Sequence, residues 1–350
     1  MKTALLICPG RGTYNAPELG TLARHFPDAA LMARFDTLRA AAGQETLTAL
    51  DGADRFALSR HARGDNASAL IYAATIGDAL SINGERVRVV AVTGNSMGWY
   101  SALACGGAVS PEAGFAIANT MGRLMQAALI GGQLVYPWMD GDWNPDPARK
   151  TALLTLVGDI AARPGLALSL SIDLGGLLVL AGDAAGLAAF EAAVPPVQDR
   201  YPMRLANHAA FHTALQAPVA AQGRAALPDS LFGPPRLPLI DGRGQIWWPG
   251  ADSPADLRAY TLGIQVVEPF DFTAAIRTAA REFAPDLFIV TGPGTTLGGA
   301  VAQSLICARW RGLGSRQDFR LLQDREPVLI AMGRDDQRAL VAMPGPGSAP

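Results

Sequence analysis

The sequence predicts an α/β fold, and three observations support that prediction. Segments of strand character alternate along the chain with longer segments of helical periodicity. Residues 87–93, VRVVAVT, form a continuous β-branched run, which is typical of a strand buried on both faces of a parallel sheet. The chain has 350 residues, of which 49% are hydrophobic, so it can bury one large core together with a smaller insert.

The first part of the chain supplies the leading elements of a large domain. Residues 4–8 are predicted to form a short apolar strand that runs into the turn sequence PGRG at residues 9–12. Residues 66–79 have helical periodicity with one apolar face. The buried strand at 87–93 is followed by a turn at residues 94–98 and a predicted helix at 98–106.

Residues 128–205 have a different pattern, which favours an insert with mostly antiparallel strands beside the larger sheet. Within it we predict strands at 132–138, 167–172, 177–181 and 203–206, and helices at 153–163 and 184–193. The pattern of the large domain resumes at 206–310, with a strand at 286–290. Beyond residue 311 the periodicity weakens, so 311–350 is assigned to a C-terminal extension, with residues 343–350 (MPGPGSAP) predicted to be disordered.

Composition excludes several classes of function. Charged residues make up 17% of the chain and the formal net charge is −2, without the basic stripe that nucleic-acid binding needs. No run approaches the roughly 18 apolar residues of a membrane span, and the start lacks a signal-peptide pattern. The three cysteines form no CxxC pair. We therefore expect a soluble cytoplasmic protein with reduced thiols and no membrane or nucleic-acid partner.

The sequence GNSMG at residues 94–98 is the feature that points most directly to chemistry. It follows a buried strand and precedes a helix, and a tight turn there needs small residues two positions on either side of the serine. Ser96 is therefore a candidate nucleophile, and the backbone N–H of Met97 is a candidate oxyanion donor at the start of the helix. The alternative is a structural turn, since GxSxG arises easily in a chain with 38 glycines.

A nucleophilic serine requires a base, and the chain has four histidines. His25 and His61 have polar neighbours, so we expect both at the surface. His208 and His212 lie close together just after the insert. For His208 the simplest interpretation is a hydrogen-bonded or exposed side chain.

Five blocks, in order across roughly residues 4–300, resemble the acyltransferase family that includes the malonyl-CoA:acyl-carrier-protein transacylases and the acyltransferase domains of fatty-acid and polyketide synthases. They are ALLICPGRGTY at 4–14, GNSMGWYSAL at 94–103, MGRLMQ at 121–126, AFHTAL at 210–215, and QVVEPFDF at 265–272 followed by GPG at 292–294. The resemblance implies an α/β-hydrolase-like large domain with a parallel sheet, at 1–127 and 206–310, and a small ferredoxin-like insert at 128–205.

The resemblance also implies roles for particular residues. Ser96 would be acylated and His212 would be its base. The family uses a main-chain carbonyl to orient the histidine, and Gln265 occupies that position, so its side chain is expected to matter little. Arg11 lies where the family has a glutamine near the oxyanion site.

Three further positions depart from the family pattern and are candidate substrate-binding residues. Asn95 replaces a histidine, Trp99 a glutamate, and Met121 the arginine that pairs with the malonyl carboxylate. Because a buried carboxylate without a cation is strongly penalised, Met121 favours a neutral acyl group. Arg11 could instead supply the missing charge from another loop, bind a coenzyme A phosphate, or be solvated.

The function implied is acyl transfer from acyl-CoA to the phosphopantetheine thiol of an acyl carrier protein, by a monomer with no metal and no permanently bound cofactor. Coenzyme A thioester and phosphopantetheine would be substrates. Two alternatives stay open: a serine esterase or thioesterase of the same fold, and a degenerate family member retained for binding. The four departures at Arg11, Asn95, Trp99 and Met121 favour the second alternative, and the intact Ser96–His212 pair opposes it.

Overall fold

A computed structural model describes residues 1–343 of the chain. The disorder predicted for residues 343–350 falls, except for Met343, outside the described residues. Within residues 1–343, no helix is both long enough and apolar enough to cross a membrane.

Two sheets organise the molecule. The strands are β1 (Lys2–Cys8), β2 (Val87–Gly94), β3 (Gly132–Pro137), β4 (Leu168–Leu174), β5 (Leu177–Gly182), β6 (Met203–Arg204), β7 (Leu239–Ile240), β8 (Ile246–Trp247), β9 (Phe270–Asp271), β10 (Leu287–Val290) and β11 (Leu329–Ala331). The larger sheet has the order β11-β10-β1-β2-β7-β8. Its first five strands are parallel and β8 is antiparallel to β7.

Helices alternate with these strands along the chain. They are α1 (Thr21–His25), α2 (Ala29–Ala41), α3 (Leu47–Asp51), α4 (Leu58–His61), α5 (Gly64–Ser81), α6 (Gly98–Cys105), α7 (Pro111–Ala128), α8 (Pro147–Ala161), α9 (Ala184–Ala193), α10 (Ala217–Ala226), α11 (Pro254–Ala259), α12 (Gln265–Val267), α13 (Phe272–Glu282), α14 (Gly298–Cys307), α15 (Arg316–Arg325) and α16 (Asp335–Val341). Short 3-10 turns lie at Ala16–Glu18, Ala214–Gln216, Asp229–Leu231 and Trp310–Gly312, and a π-helical turn at Tyr260–Ile264.

The central strand β1 is buried because its sequence is apolar on both faces. Leu5, Leu6 and Ile7 are at most 2% exposed, and they pair with β10 on one side and β2 on the other. Parallel strands covered by helices on both faces need such continuous apolar runs. This agrees with the α/β fold and with the strands predicted at 4–8, 87–93 and 286–290.

The insert confirms the predicted ferredoxin-like arrangement. Its own strands have the order β6-β3-β5-β4, all antiparallel, and α8 and α9 connect them in a β-α-β-β-α-β sequence. A separate hydrophobic core lies between this sheet and its two helices. The strand β9 comes from the other part of the chain and pairs in parallel with β4 through Ile172 and Phe270.

The chain beyond residue 311 forms regular helices and a strand, although its sequence periodicity is weak. The helix α15 and the strand β11 follow, and β11 pairs with β10 at the edge of the main sheet. Arg338 of α16 forms an ion pair with the buried Asp78 of α5, with 2.5 Å between nitrogen and oxygen. Residues 316–341 are therefore part of the main body, where the sequence had suggested only an extension.

Candidate active site

The GNSMG segment forms a sharp strand-to-helix turn with Ser96 at its tip. Ser96 has a φ of +56°, in the left-handed region that residues with a Cβ rarely adopt. A Cβ on Gly94 would lie 2.3 Å from the Gly98 carbonyl, and a Cβ on Gly98 would lie 2.2 Å from the Cys8 carbonyl oxygen. The two glycines are therefore required for the close approach of β1, β2 and α6.

Ser96 and His212 meet as a hydrogen-bonded pair. The Ser96 Oγ lies 2.8 Å from His212 Nε2, and His212 Nδ1 lies 2.7 Å from the Gln265 main-chain oxygen. A carbonyl can only accept, so Nδ1 carries the proton and Nε2 is free to accept one from the serine. This is the geometry that a general base needs.

The environment of His212 keeps the imidazole neutral. The side chain is buried at 4% exposure, and burial lowers its pKa to about 4 from the ordinary 6.5. The hydrogen bond to the Gln265 carbonyl favours the charged form and opposes that change in pKa only in part.

The side chain of Gln265 contributes more than the sequence suggested. Its Nε2 donates to the Ser96 main-chain oxygen over 3.0 Å, and its Oε1 accepts from the Tyr100 hydroxyl over 3.2 Å. The expectation that this side chain matters little is therefore wrong for the geometry of the turn. One residue holds both the histidine, through its carbonyl, and the serine backbone, through its amide.

Two backbone amides are the candidate donors for a developing oxyanion. They belong to Met97, which directly follows the nucleophile, and Arg11, in the loop after β1. Within residues 1–343 neither amide donates a hydrogen bond to another protein group. Both loops meet at the turn, since the Asn95 N–H donates to the Cys8 oxygen over 2.9 Å. Free donors beside a nucleophile are what an oxyanion hole requires.

The Arg11 side chain lies on the wall of the cavity beside Ser96. Its Nη2 donates to the main-chain oxygens of Asn207 (2.9 Å) and Ala62 (3.3 Å), and its guanidinium packs 5.4 Å from the centre of the Phe211 ring. Its Nε and Nη1 are buried and have no hydrogen-bond partner within residues 1–343. Burial lowers the pKa of Arg11 to about 10, and the charge of Asp65 partly offsets this.

The cavity itself is small and mostly apolar. Its volume of about 20 Å³ is room for about one water molecule. Besides Arg11 and the catalytic groups, the wall is formed by Met97, Tyr100, Met125, Phe211 and Val266, with Ser68 and Gly122. An acyl group can enter only if flexible side chains such as those of the methionines move.

Three predicted substrate-binding residues do not line this cavity. Met121 is fully buried, and its sulfur lies 2.6 Å from the position that a Cβ on Gly223 of α10 would occupy. Met121 therefore fills a gap between α7 and α10. Trp99 is also fully buried and donates from Nε1 to the Thr261 hydroxyl over 2.9 Å. Neither residue lines the cavity beside Ser96 in this conformation.

Asn95 is the third of these residues. It is 8% exposed, and its Oδ1 is buried without a partner within residues 1–343. It lies against the loop after β1, since a Cβ on Gly10 would approach its main-chain oxygen to 2.6 Å. It contacts this loop, and it is not part of the cavity wall.

The other three histidines make structural contacts with groups other than Ser96. His61 is fully buried between the main-chain groups of Leu50 and Ala57, so the predicted surface position is wrong. Its polar sequence neighbours gave no sign that two backbone groups would satisfy the ring. His25 is partly buried, and its Nε2 lies 3.5 Å from Asp335. His208 is partly buried and bonded to Gln133 over 2.7 Å. In the described part of the chain, no three His, Cys, Asp or Glu residues group as metal ligands.

Comparison with solved structures identifies the fold. The malonyl-CoA:acyl carrier protein transacylase of Xanthomonas oryzae pv. oryzae superposes with a TM-score of 0.73 at 19% sequence identity, covering 97% of each chain. The chain has the fold of the malonyl-CoA:acyl carrier protein transacylases. The corresponding transacylase of Synechocystis sp. PCC 6803 gives 0.73 at 18% identity, covering 97% of this chain and 99% of that one. The fold that the sequence resemblance implied is thereby confirmed.

A third similar structure is a malonyl transacylase in complex with a type II PKS acyl carrier protein. It gives a TM-score of 0.72 at 19% identity, covering 97% of this chain and 98% of that one. No protein-family model matches the chain, and no curated protein matches it in sequence. The likeness is thus one of fold, and the activity has to be argued from the site.

Proposed function

We propose that the chain is an acyltransferase that moves an acyl group from a coenzyme A thioester to the phosphopantetheine thiol of an acyl carrier protein. The observation that carries this proposal is the chain of contacts from Ser96 through His212 to the Gln265 carbonyl. The free amides of Met97 and Arg11 and the transacylase fold support it. The reaction as proposed needs neither a metal nor a permanently bound cofactor, and a monomer suffices.

The first half-reaction acylates the serine. Ser96 Oγ attacks the thioester carbonyl carbon while His212 Nε2 takes the hydroxyl proton. The amides of Met97 and Arg11 bind the oxyanion of the tetrahedral intermediate. The carbon–sulfur bond then breaks, and the sulfur leaves with the electron pair and receives the proton from His212.

The second half-reaction reverses these steps with a different thiol. His212 takes the proton of the phosphopantetheine thiol, and the sulfur attacks the Ser96 ester carbonyl. The carbon–oxygen bond breaks, and Ser96 regains its proton from His212. The mostly apolar wall, with Met125, Phe211 and Val266, supports transfer over hydrolysis because it limits access of water to the ester.

The acyl group is proposed to be small and neutral. The cavity wall is mainly apolar, with Met97, Met125 and Val266 on it. A specific observation favours the opposite assignment, a carboxylated acyl group: two nitrogens of Arg11 are buried without partners on the same wall. The two assignments differ in whether Arg11 keeps its carbonyl partners or turns to the substrate.

Intact-mass measurement after incubation with a panel of acyl-CoAs tests the activity. We expect a mass increase of one acyl group on the wild type, none on Ser96→Ala, and loss of the adduct when carrier protein bearing a free phosphopantetheine thiol is added. The matched control is Ser101→Ala, because the Ser101 hydroxyl is buried in α6 without a partner within residues 1–343. An adduct that persists on Ser96→Ala would refute the nucleophile assignment. Release at the same rate without carrier protein would favour an esterase, and a wild type that takes no acyl group would favour a binding protein.

A further inference from the structure

The backbone at His212 is held in an unfavourable conformation. Its φ of +57° lies in the left-handed region, which a residue with a Cβ adopts only where the surroundings impose it. The bond to the Gln265 carbonyl orients the ring but does not hold the preceding peptide. Other contacts hold the segment on either side: the Ala210 N–H donates to the Ile130 oxygen and the Thr213 hydroxyl to the Ala210 oxygen, each over 2.7 Å, and neither reaches the Phe211 carbonyl.

A chain of three hydrogen bonds ends on the peptide just before His212. The Ser171 hydroxyl donates to the Phe211 main-chain oxygen over 2.8 Å. Gln133 Nε2 donates to the same hydroxyl over 2.6 Å, and Gln133 Oε1 contacts His208 Nδ1 over 2.7 Å. This series of hydrogen bonds begins at His208, passes through Gln133 and Ser171 of the insert, and ends at Phe211, next to His212.

The hydrogen bonds can run in only one direction if Ser171 is to hold Phe211. The Ser171 hydroxyl has a single proton, which the Phe211 carbonyl must receive, so Gln133 must donate its amide N–H to Ser171. The Gln133 oxygen is then an acceptor, and His208 must carry its proton on Nδ1. Burial and the charge of Arg11 lower the pKa of His208 to about 3, which keeps it neutral and able to have this single tautomer.

The position of Ser171 in its strand is a second, independent observation. The pairing of β4 with β5 shifts between Leu170 and Ile172, which makes Ser171 the extra residue of a β-bulge. A bulge aims a side chain in a direction that regular alternation would not allow. Ser171 is fully buried and Gln133 is 3% exposed, so both side chains point into the protein and reach each other from β4 and β3.

We propose that Ser171 is a positioning residue for the general base, held in place by Gln133 and His208. The insert thereby sets the position of His212, although it contributes no group to the chemistry. This inference rests on the proposed function only for the role of His212 as a base.

The test compares Ser171→Ala with the matched control Ser101→Ala, a second fully buried serine whose hydroxyl has no partner within residues 1–343. The readout is the rate at which a fluorophosphonate probe labels Ser96, with unfolding temperature measured for every variant. We expect Ser171→Ala to label about 10- to 100-fold more slowly, as a misplaced catalytic group does. Ser101→Ala should label at the wild-type rate. Wild-type labelling by a folded Ser171→Ala refutes the proposal.

The histidine tautomers give a measurement that does not depend on activity. Nitrogen NMR of the folded wild type, with isotope-labelled histidine, should show His208 protonated on Nδ1. A proton on Nε2 would reverse the chain and leave Ser171 unable to donate to Phe211, which overturns the proposal even if Ser171→Ala does not fold.

A third variant, Gln133→Met, separates the two bonds of Ser171. It keeps the Ser171–Phe211 bond and removes only its support, so its loss in labelling rate should be smaller than that of Ser171→Ala. An equal or larger loss with an unchanged unfolding temperature would contradict the order of the chain. If the probe fails to label even the wild type, the proposed function fails, and the NMR result on His208 still decides the inference.

Discussion

Lowering the pH should leave the nucleophile active far below the pH at which an ordinary histidine loses its function. His212 is buried, and its pKa of about 4 compares with 6.5 for an exposed imidazole. At about pH 5.5 an ordinary histidine would be about one-tenth neutral, whereas His212 would be almost entirely neutral. The rate of Ser96 acylation at that pH should therefore stay close to its value at neutral pH.

The same difference in pKa makes folding stability depend on pH. The unfolded chain binds a proton at His212 near pH 6.5, and the folded chain binds it only near pH 4. Neutral His212 therefore contributes its full share to the free energy of unfolding above pH 6.5. As the pH falls towards 4 the unfolded chain takes up the proton and the folded chain does not, so this contribution is lost. At about 1.4 kcal/mol per pKa unit, that loss is about 3 kcal/mol.

Labelling of Ser96 by a neutral fluorophosphonate between about pH 4 and 8 measures the first effect, because the probe itself does not titrate. The acidic limb for the free protein should lie well below 6.5. Urea denaturation over the same range, compared with His212→Gln, measures the second effect, and the variant should lose less stability on acidification. An acidic limb near 6.5, with the same pH dependence of stability in both proteins, would show that the His212 imidazole is accessible to solvent.

Three further predictions concern single residues. In competition between equal concentrations of acetyl- and malonyl-CoA, the wild type should load acetyl on Ser96 faster, and Arg11→Gln should keep that order. A wild-type preference for malonyl that Arg11→Gln reduces about 10- to 100-fold would instead assign Arg11 to the substrate carboxylate. Gly98→Ala should lower the free energy of unfolding by about 1–3 kcal/mol because its Cβ meets the end of β1. The control Gly158→Ala, at an exposed helical position, should raise it by about 0.5–1 kcal/mol. Equal urea midpoints for the two variants would contradict this prediction. Gln265→Leu keeps the carbonyl to His212 but loses the bond to the Ser96 oxygen, so probe labelling should slow by about tenfold, and an unchanged rate in a folded variant would show that the side chain is dispensable.

The sequence was sufficient to predict those elements whose structure depends on residues close together in the chain. The turn at Ser96 could be predicted because a strand, two small residues and a helix occur in direct succession. The insert could be predicted because its strands and helices are long enough to show their periods. The strand β11 has only three residues, which is too short for any period, and its pairing with β10 is a long-range contact.

The partners of individual side chains could not be predicted from sequence. That Met121 faces α10 depends on Gly223, about a hundred positions later, which leaves the gap that its thioether fills. His61 is buried because Leu50 and Ala57 bring two backbone groups to its ring. The pairing of Ser96 with His212 came from the family resemblance, since the residues alone left two neighbouring histidines as candidates. The role of the Gln265 amide needed the orientation of its side chain.

The central position of β1 has a consequence for biosynthesis. It leaves the ribosome before its partner β10, which pairs with it from Ala4↔Leu287 onwards. At a synthesis rate of about 5–20 residues per second, the edge of β1 that faces β10 stays unpaired for about 15–60 s. Nascent chains of this protein should therefore bind chaperones through β1, and fragments that end before β10 should aggregate through the same unpaired edge.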